Sequence, residues 1–199
     1  MCIRDSLIPK LSMETLGIRH GFTAVEAAYL LSVKTPETVP AFGGFLPIEP
    51  ATDVPDFKPT KLVTMMLFSL LHKRAVWVES TDPSLKIRIM EPFKDKKGPA
   101  ETPIQYYEID FLNAIREDGT LDEEKLAQAI MFLRDTVEEK MRGYCRRDTI
   151  EYYRSIVAKA WTQVEQAGTT ELASKAYDEQ LLWLFLDPNY RTRTDTVFR

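Results

Sequence analysis

The sequence is poor in the residues that most often mark catalytic, metal or disulfide chemistry. Its 199 residues include two cysteines, Cys2 and Cys145, and two histidines, His20 and His72. The cysteines lie far apart and form no CxxC pair, which argues against a disulfide framework or a zinc knuckle. Neither histidine has a suitably spaced partner for metal binding or general-base catalysis. We therefore predict no catalytic residues, no metal, no cofactor and a reducing compartment.

Long hydrophobic runs are also missing. The longest apolar stretch, 62–71, contains Thr64 and Ser69 and falls far short of the ~20 residues needed to cross a bilayer. The N-terminus lacks the apolar core of a signal peptide. Its first six residues resemble an artefact at the start of many assembled environmental reading frames, so they carry no weight here. We expect a cytoplasmic protein without membrane insertion.

Charge is distributed unevenly along the chain. The formal net charge is −4, and the segment 108–139 holds ten acidic residues against three basic ones. An acidic face repels phosphate, whereas non-specific nucleic-acid binding depends on basic surface. The sequence therefore argues against nucleic acid as a partner and predicts an acidic helical face.

The first elements of the chain are a short helix and a long loop. Thr23 and Glu26 form a capping-box pattern at the start of a helix that runs to about Leu31. Six of the twelve prolines fall between Lys34 and Pro59, and they predict a long loop. Such a loop could present a binding strip to another protein.

The next elements have the outline of half a winged helix-turn-helix. Apolar residues recur at helical spacing over 61–71 and predict a buried helix, with Thr60 as its N-cap. Two alternating segments, 75–79 and 85–90, flank a turn signal and predict a β-hairpin. The hairpin could cover the core or touch a DNA backbone. Its candidate backbone contacts are Arg74, Lys86 and Arg88.

The second half predicts four helices. Thr102 and Pro103 are expected to open the first, Asp122 to cap the second, and Gly143 to end it. The predicted helices span about 104–116, 122–142, 147–166 and 170–186.

These patterns predict an α+β, mostly α fold in two units. The expected division is an N-terminal segment 1–19, a winged-helix-like unit with the β-hairpin and Pro-rich loop at 20–92, a linker at 93–101, a helical unit at 102–187 and a polar basic tail at 188–199.

One turn in the helical unit is the candidate partner-binding site. Arg142, Tyr144, Arg146 and Arg147 could hold a phosphate or an acidic partner there. The alternative is a solvated turn whose arginines pair with nearby carboxylates. Cys145 lies among these bases, as reactive thiols often do, but the sequence nominates no base to orient it.

The order of these segments resembles the cytosolic winged-helix-like region of a family of uncharacterised bacterial membrane-anchored proteins. The matching segments are 23–31, with its Glu-Ala-x-Tyr-Leu-Leu pattern, 61–78 and 106–112. Segments 152–161 and 182–187 also resemble uncharacterised proteins of environmental bacteria. The resemblance implies a winged-helix-like unit and supplies no catalytic residues. Because the chain has no membrane segment, anchoring is not implied.

The sequence favours a non-enzymatic protein-interaction or scaffold module with another protein as its partner. Three alternatives remain open at this point. They are a winged-helix DNA-binding regulator, an enzyme that uses Cys145, and the globular head of a longer protein or a substrate for covalent modification.

Overall fold

The computed structural model describes residues 17–32, 59–82, 84–96 and 98–199. Helices dominate these ranges, beside a single two-stranded sheet, which confirms the mostly α, α+β class. The predicted Pro-rich loop lies outside the described residues, apart from Pro59 at its end. The helices are α1 (Ala24–Ser32), α2 (Pro59–His72), α3 (Tyr106–Ala114), α4 (Glu123–Lys140), α5 (Arg146–Glu165), α6 (Thr170–Leu184) and α7 (Tyr190–Val197), and the strands are β1 (Val76–Ser80) and β2 (Lys86–Ile89).

Helix α1 begins as its capping box predicts. The backbone N–H of Thr23 donates to Glu26 Oε2 at 3.0 Å, and the N–H of Glu26 donates to Thr23 Oγ1 at 3.2 Å. Two of the orphan amides of the first turn are thereby satisfied. The helix is buried along almost its whole length, and Ala27 and Leu30 have no exposed surface.

Helix α2 is buried as predicted, although it begins at Pro59 and not after a cap at Thr60. Proline suits the first turn because its missing N–H has no helical partner there. Met65, Met66 and Leu70 are fully buried, since α1, α3, α4 and α6 all pack around this helix.

The predicted β-hairpin is present. Its strands pair antiparallel, with Val76 opposite Ile89, and Val76 and Ile87 turn into the core. The N–H of Ile87 also donates to the carbonyl of Gly119 at 2.8 Å, which ties the hairpin to the turn between α3 and α4. Gly119 has a φ of +83°, and a Cβ there would meet the carbonyl oxygen of Ile87 at 3.2 Å. Glycine relieves both the strain and the crowding.

Helix α4 is capped as expected, whereas α3 begins later than expected. The Asp122 carboxylate accepts the N–H groups of Glu124 and Lys125, as predicted for an N-cap. Helix α3, in contrast, is capped by a box between Gln105 and Glu108, three residues beyond the predicted cap at Thr102. The correction has a physical cause: Glu108 reaches back to the N–H of Gln105.

The C-terminal helices pack around a buried tryptophan. Trp161 on α5 is fully buried, and the rings of Tyr177 and Tyr190 lie against it. Residues 190–197, which belong to the predicted polar tail, form α7. The Arg193 guanidinium holds α7 in place by bonding to both Glu165 and Asp187. Because a guanidinium and two carboxylates make these ion pairs, the spacing of hydrophobic residues did not predict the helix.

The buried residues of both predicted units form one continuous hydrophobic cluster. It includes Val25 of α1, Met66 of α2, Phe93 of the short 3₁₀ turn after the hairpin, and Phe111 and Trp161 of the helical half. The division at residues 93–101 stays a prediction. In the described part of the chain, no helix is both long and apolar enough to span a membrane.

Candidate functional site

A buried carboxylate joins α1, α3 and α4. The Glu26 side chain is 1% exposed, and its Oε1 pairs with the Lys140 ammonium at 2.6 Å. The same oxygen accepts a hydrogen bond from the Tyr106 hydroxyl at 3.0 Å. A buried charge is tolerated when it is both paired and hydrogen-bonded, and Glu26 meets both conditions.

A second buried carboxylate joins α2 to α3. Glu108 has no exposed surface, and its Oε2 pairs with the Lys73 ammonium at 2.7 Å. Its Oε1 accepts a hydrogen bond from the Ser69 hydroxyl at 2.6 Å. Glu108 is one of the ten acids that the sequence analysis placed on an acidic face, and that placement is wrong for this residue. It is an interior group that holds two helices together.

Tyr106 links this interior network to the protein surface. Burial raises the pKa of its phenol well above the usual range, and the Glu26 carboxylate adds to the effect. The phenol therefore stays protonated and donates to Glu26. Its ring meets the ring of Phe132 edge to face at 5.6 Å, and the Lys140 ammonium lies 5.4 Å from its centroid.

The outer face of α4 carries an exposed strip that combines apolar and acidic groups. Met131 and Phe132 are each 53% exposed, next to one another on a helix whose opposite face is buried. Exposed polar residues extend the same face at helical spacing in both directions. We call this set the α4 strip: Glu124, Gln128, Met131, Phe132, Asp135 and Glu139.

The sequence analysis missed the two apolar members of this strip. A signal for them exists in the spacing, because the buried residues of α4 recur at intervals of three or four: Leu126, Ala129, Leu133 and Val137. Met131 and Phe132 fall outside that series. Two large apolar residues thus lie side by side on the exposed face of an acidic helix.

The predicted partner-binding turn follows α4, and carboxylates lie beside two of its arginines. The Arg146 guanidinium pairs with Glu138, and the Arg147 Nε lies 3.4 Å from an Asp148 carboxylate oxygen. The half-buried Tyr144 ring receives the guanidinium of Arg19 at 5.3 Å from its centroid. Arg142 is exposed. The structure thus brings carboxylates to two of the three arginines, and a partner-binding role for this turn stays a prediction.

The basic side chains at the hairpin, Arg74, Lys86 and Arg88, are exposed, as a contact with a DNA backbone would require. Arg88 nevertheless pairs with Glu79 on the neighbouring strand. Trp77 lies directly across from Arg88 and is 64% exposed, a feature that the sequence analysis did not single out. The preceding helix α2 turns Met65 and Met66 inward and is enclosed by other helices. It has little free surface for reading bases in a groove.

Cys145 and the two histidines are the catalytic candidates that the sequence raises. Cys145 is half-buried at the start of α5, where its backbone N–H donates to the carbonyl of Gly17 at 3.0 Å. His20 packs its ring against Tyr152, and His72 is exposed at the end of α2. Within the described ranges, no three His, Cys, Asp or Glu side chains are grouped so that they could hold a metal ion.

The chain matches no protein-family model, no curated protein and no solved structure. The resemblance to the winged-helix-like region of bacterial membrane-anchored proteins therefore stays a prediction.

Proposed function

We propose that this chain is a non-enzymatic protein-binding module whose α4 strip takes a basic, amphipathic segment of another protein. The observation that carries the proposal is the side-by-side exposure of Met131 and Phe132 in an acidic helix. About half of each side chain is left in water, and burying that apolar surface would be favourable. A partner that covers the two side chains would gain this free energy on binding.

The apolar centre of the strip has the composition of a binding hot spot. Aromatic residues and methionine are enriched in the cores of protein interfaces. Phe132 supplies a large flat ring, and Met131 supplies a flexible side chain that adapts to the shape of its partner.

The acidic ends of the strip select the charge of the partner. Glu124 and Glu139 have no ion-pair partner among the described residues, and Asp135 pairs only with its exposed neighbour Arg134. Exposed pairs of this kind contribute little, so Asp135 can exchange Arg134 for a partner cation. Lysine or arginine flanking the apolar contact would then complement the strip and speed association.

The strip is also rigid enough to bind at low entropic cost. Helix α4 is held from beneath by the ion pair between Glu26 and Lys140, and Phe132 rests against Tyr106. A preorganised surface loses less conformational freedom when it binds.

A displayed library of 16-residue peptides, selected on the immobilised full chain, tests the proposal. Enriched peptides should carry apolar residues at helical spacing flanked by lysine or arginine. Their affinity should fall at least about tenfold on Met131→Asp or Phe132→Asp, as expected for hot-spot residues. Their binding should also weaken with salt, because the acidic ends are exposed to solvent.

Two control variants separate the strip from other surfaces. Leu172→Asp changes a side chain on α6 that is 55% exposed, almost the same as Met131, and it should leave affinity unchanged. The double variant Arg142→Ala/Arg147→Ala tests the turn that the sequence analysis favoured. Peptides that are acidic, or that lose affinity on the arginine changes and keep it on Met131→Asp, would move the binding site to that turn.

A further inference from the structure

A cleft of about 650 Å³ has no residue of the α4 strip in its lining. Its described walls come from the end of α1, the start of α2, the middle of α5, the segment that precedes α7 and α7 itself. The volume lies within the range of small-molecule sites, which are concave and largely apolar with a few placed polar groups.

The floor of the cleft is apolar. Leu31 of α1, Val157 of α5 and Leu186 after α6 line it, together with the small side chains Ala28 and Ala158. A surface of this composition favours a hydrocarbon or aromatic body over a fully hydrated ligand.

Three cations and one carboxylate, Asp187, also line the cleft, and the three cations are not equivalent. Arg193 already bonds to both Glu165 and Asp187, and its guanidinium lies 4.6 Å from the centroid of the Trp161 ring. It is therefore part of the wall. Arg154 and Lys61, in contrast, have no carboxylate within ion-pair distance among the described residues.

Lys61 is the better placed of the two free cations. Its ammonium lies 5.7 Å from the centroid of the Phe185 ring. Burial lowers the pKa of Lys61, and Asp187 acts in the opposite direction. An anion beside the ammonium can form a charge-assisted hydrogen bond.

We propose that this cleft binds a small amphiphile, with its apolar body against Leu31, Val157 and Leu186 and its single carboxylate or phosphate group between Lys61 and Arg154. The proposal is independent of the α4 strip. Ser32, which also lines the cleft, is followed by residues 33–58 outside the described ranges. The test therefore uses the full chain.

Isothermal titration with decanoate, decyl phosphate and decanol tests the proposal and distinguishes its two anionic forms. At least one of the two anions should bind at least about fivefold more tightly than decanol, because decanol offers the same chain without charge. Lys61→Met and Arg154→Met each keep an apolar stem and should weaken binding of the anion about three- to tenfold. The matched control Lys159→Met removes an exposed lysine of the same helix α5 that does not line the cleft, and it should change nothing.

A filling variant tests the apolar part of the site, whereas unchanged affinity in both Lys61→Met and Arg154→Met would overturn the proposed place of the anionic group. Ala158 lines the cleft from an exposed helical position, so Ala158→Phe should fold and should abolish binding of all three probes. Circular dichroism checks that the helices are retained. Three results would each overturn the proposal: no heat with either anion, equal affinity for decanol, or unchanged binding in Ala158→Phe.

Discussion

Carboxylates occupy two opposite environments in this molecule. In the interior, Glu26 and Glu108 are 1% and 0% exposed, and each is paired with a lysine. On the outer face of α4, Glu124, Asp135 and Glu139 are exposed, and two of these three have no ion-pair partner among the described residues. Carboxylates therefore hold helices together in the interior and contact solvent on the outer face of α4.

This difference teaches where stability and binding are located. A buried charge must keep its partners, since losing one leaves the other uncompensated. An exposed charge can change partners at little cost. Substitutions in the two buried pairs should therefore lower the free energy of unfolding. Substitutions on the outer face of α4 should alter binding and leave the fold intact.

Glu108→Ala should give the largest effect. It leaves the Lys73 ammonium, whose side chain is only 20% exposed, without its carboxylate, and it removes the acceptor of the Ser69 hydroxyl. Breaking a buried pair in this way costs about 3–5 kcal/mol. Urea unfolding of the wild type and the variant measures the difference. The companion Glu108→Gln retains one acceptor oxygen in a side chain of similar size and should lose less. A cost below about 1 kcal/mol for Glu108→Ala would show that the pair contributes little.

Glu26→Ala should destabilise the protein by a smaller amount, about 1.5–3 kcal/mol, the range of a hydrogen bond to a charged group. Its partner Lys140 has a side chain that is 34% exposed, so water can solvate the ammonium once Glu26 is gone. A double-mutant cycle with Lys140→Met isolates the pair from the other contacts of Glu26. Additive losses in the cycle would mean that the two residues are not coupled, and the comparison with Glu108 would then fail.

Local signals explain how much of the fold could be predicted. The capping boxes and turns depend on residues within a few positions of each other, as the bonds between Thr23 and Glu26 illustrate. The alternation around the hairpin is equally local, and so is the Asp122 cap. Helix α7 was not predicted, because Arg193 and Tyr190 hold it through contacts to Glu165 and Trp161 of α5, which are distant in sequence.

The candidate sites depend on long-range contacts, which the sequence does not encode in a readable pattern. Ser69 and Lys73 lie 39 and 35 positions before Glu108, and Lys140 lies 114 positions after Glu26. Nothing in the acidic composition of 108–139 distinguishes Glu108 from its exposed neighbours. The exposure of Met131 could have been predicted from the sequence, because its position outside the buried series of α4 is a local property.

The smallest expected effect concerns Asp122, whose side chain is 22% exposed at the start of α4, and it tests whether this carboxylate contributes through its charge. The N–H of Lys125 lowers the pKa of Asp122 by bonding to its carboxylate, and the Arg116 charge adds to the shift. Because the folded pKa is below the unfolded one, the stabilisation is present above the unfolded pKa and is lost as the pH falls through the folded value. The wild type should therefore melt at a higher temperature than Asp122→Asn at pH 6, and this advantage should shrink by pH 3.

Asp122→Ala separates charge from hydrogen bonding in the same experiment. Asparagine retains a side-chain oxygen that caps the helix, whereas alanine removes the cap at every pH. The deficit of Asp122→Ala should thus persist at pH 3, where that of Asp122→Asn has largely disappeared. Melting temperatures followed by circular dichroism across this range provide the measurement. If the advantage of the wild type over Asp122→Asn is the same at pH 6 and pH 3, the carboxylate acts only as a hydrogen-bond acceptor, and Asp122 would contribute to the fold through geometry and not through charge.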